Sequence, residues 1–356
     1  MDLQKLHTSD SDSFIGFAES RQGGRTENQD SYGFTQTGRG FLLTVCDGMG
    51  GGPGGKTAST IAVQEIITGV NEAGQDEEIP NILIKAIRRA NMAIIDHGNE
   101  NPSLKGMGST ATVLLLNSQA AYVAHVGDSR IYQFRGQQKV FRTFDHSMVF
   151  DLVKQKVITE EQARLSAQSN IITRALGIQP DVEVDVSELP YEKGDRFLLC
   201  SDGIHGTMPE AELIKMISKR KQALGAVVDN IATTVDNLGY NQGGGHDNLT
   251  IAVIETKKNS LLKQVMSSKT KIILSVLTVI ALSSLVLNVV QLSSKSKNDS
   301  LKEEISTLKS DRDSLEKMAN RRRDTINIYK KVVNDNKNVQ EAVGNELNKL
   351  SGNNQK

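Results

Sequence analysis

No tryptophan occurs in the 356 residues, and aromatic side chains make up only 4% of the chain. Its core must therefore be built from Leu, Ile, Val and Ala rather than from large rings. With only two cysteines, a disulfide framework is excluded. Cys46 and Cys200 stand at the ends of two apolar runs and read as small core residues of a reducing compartment. The alternative is a redox role beside Asp202, with which Cys200 should share a strand face. There is no excess of charge either: 42 Lys and Arg match 42 Asp and Glu, so bulk charge recommends no nucleic-acid partner. The first 13 residues are polar and lack the apolar run of a signal peptide.

What the chain does have is five aspartates beside glycine or small polar residues: Asp30, Asp47, Asp128, Asp202 and Asp247. Phe41 to Cys46 runs into Asp47, and Arg196 to Cys200 runs toward Asp202. An apolar run ending in aspartate reads as a buried strand that delivers a carboxylate at its exit. Carboxylates gathered this way repel one another unless cations neutralise them. Oxygen donors without His or Cys favour Mg²⁺ or Mn²⁺ over Zn²⁺. Asp47 is the best bridging ligand, because the glycines after it allow a sharp turn and the Gly48 carbonyl adds an oxygen. Two ions sharing a carboxylate and a water would make hydroxide near neutral pH, suited to attack on a phosphoester. Arg25, five residues before Asp30, could grip two phosphate oxygens at once.

Strand patterns recur at 14–18, 31–36, 41–46, 110–116, 120–126, 130–134, 182–187, 196–200 and 249–254. Helical patterns lie near 55–69, 80–97, 147–156, 209–219 and 222–238. The order does not alternate strictly, which disfavours a doubly wound parallel sheet. An α+β fold is expected: a four-layer α-β-β-α sandwich of two antiparallel sheets flanked by helix pairs, occupying residues 1–256. A basic juxtamembrane linker follows at 257–271. Residues 272–292 carry no charged side chain and read as a transmembrane helix rather than a buried core helix. Lys257, Lys258, Lys263, Lys269 and Lys271 outweigh the mixed charges beyond the span, which places residues 1–271 in the cytoplasm and 293–356 outside. Leu301, Ile305, Leu308, Leu315 and Ile326 share a 3–4 spacing, interrupted by Arg312 and Arg322. The tail is thus a long amphipathic helix or weak coiled coil, which would pair copies through 298–350, or else a solvated tail.

Residues 14–255 resemble the bacterial form of the metal-dependent type 2C serine/threonine protein phosphatases. The motifs, in family order, are Arg25-x-x-Asn28-Gln29-Asp30, Asp47-Gly48-Met49-Gly50-Gly51, Gly108-Ser109-Thr110, Gly127-Asp128-Ser129-Arg130 and Asp145-His146-Ser147. Asn170 to Gly177, Ser201-Asp202-Gly203-Ile204 and Asp247-Asn248 complete them. The resemblance implies that Asp47, Asp202 and Asp247 hold a first metal. Asp47, the Gly48 carbonyl and Asp30 (largely through waters) would hold a second. Asp128 with Asp202 would bind a more labile third. Arg25 would take the substrate phosphate, and the stretch from His146 to about Asn170 would be a mobile flap. Met49 stands where many eukaryotic relatives have a proton-donating histidine, and Gln29 replaces a frequent glutamate. The flap end, Leu165 to Asn170, lacks the family's usual His-Pro and Arg. Outside the ligand set, His146 and His246 are not expected to bind metal, while His7, His97, His125 and His205 read as surface or strand residues. Asp145 reads as a turn residue.

The function this implies is membrane-anchored hydrolysis of phosphoserine and phosphothreonine on proteins phosphorylated by a bacterial kinase. The alternatives are a phosphatase dedicated to one regulatory protein, and an inactive phosphatase-fold sensor or scaffold, for which the complete ligand set would be superfluous.

Overall fold

The computed structural model describes residues 3–6, 13–50, 54–166, 168, 171–262, 304–323 and 330. Among the described residues, twelve strands carry the first compact unit, which ends at Lys271. They are β1 (Gln4–Leu6), β2 (Phe14–Arg21), β3 (Asp30–Thr37), β4 (Gly40–Met49), β5 (Gly108–Ser109), β6 (Ala111–Leu116), β7 (Ala121–Val126), β8 (Arg130–Arg135), β9 (Gln138–Arg142), β10 (Asp185–Leu189), β11 (Arg196–Cys200) and β12 (Leu249–Thr256). The helices are α1 (Gly54–Asn71), α2 (Ile79–Glu100), α3 (Met148–Lys154), α4 (Glu160–Arg164), α5 (Asp202–Thr207), α6 (Glu210–Ile217) and α7 (Leu224–Asn241).

Two antiparallel sheets form, in the orders β1-β2-β12-β11-β8-β9 and β10-β7-β6-β4-β3, with β5 on β4. Each central strand buries both faces, which explains why its sequence is a run and not an alternation. On β4, Phe41, Leu43 and Val45 meet the opposite sheet, while Leu42 and Cys46 meet α1 and α2. On β11, Phe197 and Leu199 face the other sheet, and Leu198 and Cys200 face α6 and α7. Helix pairs thus cover both outer faces, and the α-β-β-α sandwich expected from the sequence is the fold observed.

This parity positions the site. Asp47 continues the Phe41, Leu43, Val45 series, so it emerges at the mouth of the inter-sheet layer. Asp30 is its direct register partner on β3.

Several expectations change. Cys200 points into the helix layer and Asp202 opens α5, so the two do not share a strand face. Both cysteines are fully buried, and burial pushes the Cys46 thiol up to about 12 and the Cys200 thiol higher still. Neither can supply a thiolate, and the redox alternative is dropped. The edge strands β1 and β9 carry too short or too polar a pattern to be read from sequence. The domain does not end at 256. Lys257 N–H donates to Ser13 O (2.8 Å), Leu261 N–H to Ser118 O (2.8 Å) and Leu262 N–H to Gln119 O (2.9 Å), so the chain stays docked through Leu262.

Residues 272–292, read as the transmembrane helix, lie outside the described residues, as do 263–271 and most of the tail. Among the described residues no helix is long and apolar enough to cross a membrane. In the second compact unit, residues 304–323 are helical, and Ile305, Leu308, Leu315 and Met318 are exposed.

Candidate metal centre

At one end of the sandwich, the loop 22–29, the end of β4, the loop after β7, the start of α5 and the entry to β12 converge. Serine and threonine side chains replace the apolar ones at the mouth of the inter-sheet layer. Ser201 Oγ donates to Asp30 Oδ2 (2.7 Å) and accepts from Thr250 N–H (3.0 Å), while Ser20 and Thr250 hydroxyls lie 2.7 Å apart. Asp47 is fixed through its backbone: its N–H donates to Thr110 Oγ1 (2.9 Å), and its carbonyl accepts from Thr110 N–H (2.8 Å) and Ser109 Oγ (3.1 Å). Thr110 Oγ1 also lies 2.7 Å from Ser129 Oγ, linking the Asp47 and Asp128 turns. Gly48 has no room for a side chain, since an added Cβ would sit 1.9 Å from Gly55 O. That crowding is why the position after Asp47 is glycine.

All five aspartates interact electrostatically here. Burial, then neighbouring Asp247, raises the Asp30 carboxyl to about 6 against hydrogen bonds that lower it. Asp202 is pushed up to about 7 by burial, then by Asp247 and Asp30. Asp47 lies well above the usual carboxylate range through burial and the charges of Asp30, Asp202, Asp128 and Asp247. Asp128 does too, through burial, Asp202 and Asp145. Asp47 and Asp202 keep part of their surface open to the cleft, although protein crowds them on the other sides. Asp30 Oδ1, Asp128 Oδ1 and Asp202 Oδ1 are buried without a hydrogen-bond partner. Unpartnered buried carboxylate oxygens at a shared mouth are the donor set of a hard divalent cation, so the residues fit Mg²⁺ or Mn²⁺.

The cleft has two lobes, of about 430 and 300 Å³, which share Arg25, Asp202 and Asp247. Asp47, Gly48, Gln29 and Ile172 line the first. Asp128, Phe150 and Arg164 line the second, under α3 and α4 of the expected flap. Arg25 reaches the shared rim, where Nη2 donates to Asp247 Oδ2 at 2.7 Å. Asp128 is therefore a neighbour of Asp202 in the second lobe. The flap is braced by Arg130, whose guanidinium bonds Asp145 twice at 2.7 Å and lies 4.9 Å from the centre of the Phe150 ring. Asp145 is thus the partner of a buried arginine and not a simple turn residue.

Of the histidines, His125 lies on β7 as a strand residue, whereas His205 is neither surface nor strand. His205 is buried on α5, 3.0 Å from Asp128 O, and burial holds its imidazole well below its usual range. His125 and His146 are buried and stacked at 4.5 Å, and burial lowers His146 to about 4. None of these rings is an imidazolium near neutral pH, which removes them as leaving-group acids. His125, His146 and Asp185 bring three potential ligand atoms together. Yet Arg174 already donates to Asp185 (2.9 Å) and lies 3.0 Å from His146 Nε2, and nearly parallel rings cannot both aim a lone pair at one ion. That cluster is a brace for the loop before Asp128, with Gly127 N–H donating to His146 Nδ1 at 3.1 Å. A larger groove of about 500 Å³, bordered by β9 and β10, holds none of the aspartate ligands.

Sequence reading missed the parts played by Asn248, Ser201 and Thr110. They lie inside the quoted motifs, but only the tertiary contacts show what they hold.

Comparison with known proteins identifies a family. A family model described as protein phosphatase 2C matches residues 19–241. The serine/threonine phosphatase stp of Listeria innocua is 34% identical over 235 residues, which are 65% of this chain and 91% of that protein. The protein phosphatase PhpP of Streptococcus pneumoniae is 32% identical over 234 residues, 65% of this chain and 92% of that one. Among solved structures, the Streptococcus agalactiae serine/threonine phosphatase superposes with a TM-score of 0.62 at 30% identity, covering 68% of this chain and all of that one. The catalytic domain of the phosphatase PstP, in complex with 2 manganese ions, gives a TM-score of 0.57 at 28% identity, over 69% of this chain and 99% of that one.

Proposed function

The chain belongs to the protein phosphatase 2C family and is a protein serine/threonine phosphatase, and we propose that it hydrolyses phosphoserine and phosphothreonine on proteins with Mn²⁺ or Mg²⁺. Asp47, Asp202 and Asp247 would hold one ion. Asp47, the Gly48 carbonyl and Asp30 would hold a second, and Asp128 with Asp202 a third. When bound, these ions supply a water acidic enough to attack phosphorus and positive charge beside the phosphoryl oxygens.

The chain's own residues do the rest. Arg25, half exposed at the rim shared by both lobes, is free to turn from Asp247 to the phosphoryl oxygens of an entering phosphoresidue. Ser201 holds Asp30 in place by donating to one oxygen, and the other is buried without a hydrogen-bond partner. Thr110 and Ser109 fix the Asp47 backbone. The Arg130–Asp145 pair sets the floor of the flap, whose inner wall borders the second lobe and would contact residues flanking the phosphate. The observation that carries the reading is the set of three unpartnered buried carboxylate oxygens at one mouth with Arg25 on its rim. An inactive scaffold would gain nothing from so costly an arrangement.

The uncharged run 272–292 and its lysine asymmetry support a single-pass anchor with the phosphatase facing the cytoplasm, and the exposed seam of 304–323 supports pairing of two copies outside. The substrates would be phosphoproteins made by a bacterial serine/threonine kinase, or one dedicated regulatory phosphoprotein. The test is phosphate release from phosphothreonine peptides by the full chain recovered from membranes. Release that needs Mn²⁺ and stops with EDTA is expected; release in EDTA, or recovery wholly in the soluble fraction, overturns the metal or the anchor part respectively.

A further inference from the structure

The residue after the ligand Asp247 has every side-chain hydrogen-bonding group engaged, and each bond goes to the loop that carries Arg25. Asn248 is only 5% exposed. Its Nδ2 donates to Gln22 O (2.7 Å) and Glu27 O (2.8 Å), and its Oδ1 accepts from Gln29 N–H (2.8 Å). These partners bracket Arg25 on both sides. Its own N–H donates to Asp247 Oδ1 at 2.8 Å, so the same residue also orients the ligand carboxylate.

The two loops fit closely elsewhere as well. Gly24 N–H donates to His246 O (3.0 Å). Gly23 has φ +63, and a Cβ there would lie 2.1 Å from Asp247 O. Gln22 Nε2 donates to Arg25 O (2.7 Å), closing the loop on itself. The Arg25 side chain, by contrast, is 51% exposed and meets the protein through Asp247. Its aim therefore depends on the backbone that Asn248 holds. Only an amide satisfies this place: two donors for two carbonyls and one acceptor for an N–H, which neither Asp nor Leu supplies.

We propose that Asn248 is a positioning residue that clamps the Arg25 loop to the Asp247 segment at the entry to β12, making the phosphate grip and the metal ligand one rigid unit. The inference rests on Arg25 taking the substrate phosphate. Asn248 borders the first lobe, but it is nearly buried and its amide is committed to the loop, so its assigned role is through Arg25.

A double-mutant cycle on the full chain tests it, with p-nitrophenyl phosphate as substrate, inorganic phosphate as inhibitor and saturating Mn²⁺. Arg25→Ala and Asn248→Ala should each raise KM and the phosphate inhibition constant roughly tenfold or more, the scale of a lost hydrogen bond to a charged group. In the Arg25→Ala background, Asn248→Ala should add less than about twofold, because both changes remove one interaction. Equal effects of Asn248→Ala in both backgrounds, or a fall in kcat with KM unchanged, would refute the clamp. An Arg25→Ala protein with unchanged KM would refute the role of Arg25 itself. Melting curves accompany each variant; if Asn248→Ala does not fold, Asn248→Ser, which keeps one hydroxyl, runs through the same cycle with the same outcomes.

Discussion

Replacing Asp202 by asparagine should make the metal-free protein more stable while weakening its hold on metal. Burial and the charges of Asp247 and Asp30 raise the Asp202 carboxyl from 3.8 to about 7. A carboxyl whose pKa is higher in the folded than in the unfolded chain binds its proton more tightly when folded. The protein therefore loses stability as pH rises from about 4 through about 7, and the full loss is present above that. A rise of that size corresponds to roughly 4 kcal/mol at pH 8. Asp202 opens partly to the cleft, where water screens it, so about half of that, ~2 kcal/mol, is the working figure. For a domain of this size, 1 kcal/mol moves the melting temperature by about 2–4 °C, so the substitution should raise it by about 4–8 °C at pH 8. Calorimetry in EDTA from pH 4.5 to 8, wild type against Asp202→Asn, measures this directly. The difference should shrink toward zero at the acid end, where wild-type Asp202 is protonated. Added Mn²⁺ should stabilise the wild type far more than the variant. A variant that melts below wild type at pH 8, or a difference that does not change with pH, would refute the reasoning.

Other consequences follow from the same geometry. Gly48→Ala would force a Cβ against Gly55 O, 1.9 Å away, and displace the Gly48 carbonyl; Mn²⁺ affinity by calorimetry should fall at least about tenfold, ~1.4 kcal/mol, and the melting temperature should drop with it. Asp128→Ala should remove the weakest Mn²⁺ site from the titration and leave two, since Asp128 borders the second lobe and not the first. Asp145→Asn leaves the buried Arg130 guanidinium without its carboxylate, a loss of roughly 3 kcal/mol that should lower the melting temperature by about 6–12 °C.

What could be read from the sequence was what a strand states locally. The run Phe41 to Cys46 announced a strand buried on both faces, and its parity carried Asp47 to the inter-sheet mouth. The Arg196 to Cys200 run announced a buried strand in the same way, but its parity did not reach Asp202: it would have set Asp202 on the Cys200 face, and the strand face ends where the chain turns into α5 after Ser201. Asn28, Asp30 and Arg25 were legible as a motif. The clamp from Asn248 was not, since its partners lie 219 to 226 positions away and amide groups carry no periodic signal. His125 and His205 looked like ordinary strand or surface residues because one histidine in a window says nothing of what packs over it. The strand β9 stayed hidden for a related reason: as an edge strand with a half-exposed face, its Gln138 to Arg142 pattern resembles a polar turn. The docking of 257–262 rests on backbone bonds together with Asn259, Ser260 and Leu262, and so short a polar segment carries no periodic signal.

The central claim is that the aspartate cluster around Asp47 is a metal-dependent phosphatase centre. The most direct measurement compares wild type and Asp47→Asn as full chains, in phosphate release from a phosphothreonine peptide with Mn²⁺, with folding checked by circular dichroism. Loss of activity by about a thousandfold or more in a folded Asp47→Asn protein, matched by EDTA treatment of the wild type, is the predicted result. Activity retained in the variant, or in the wild type with EDTA, would contradict it.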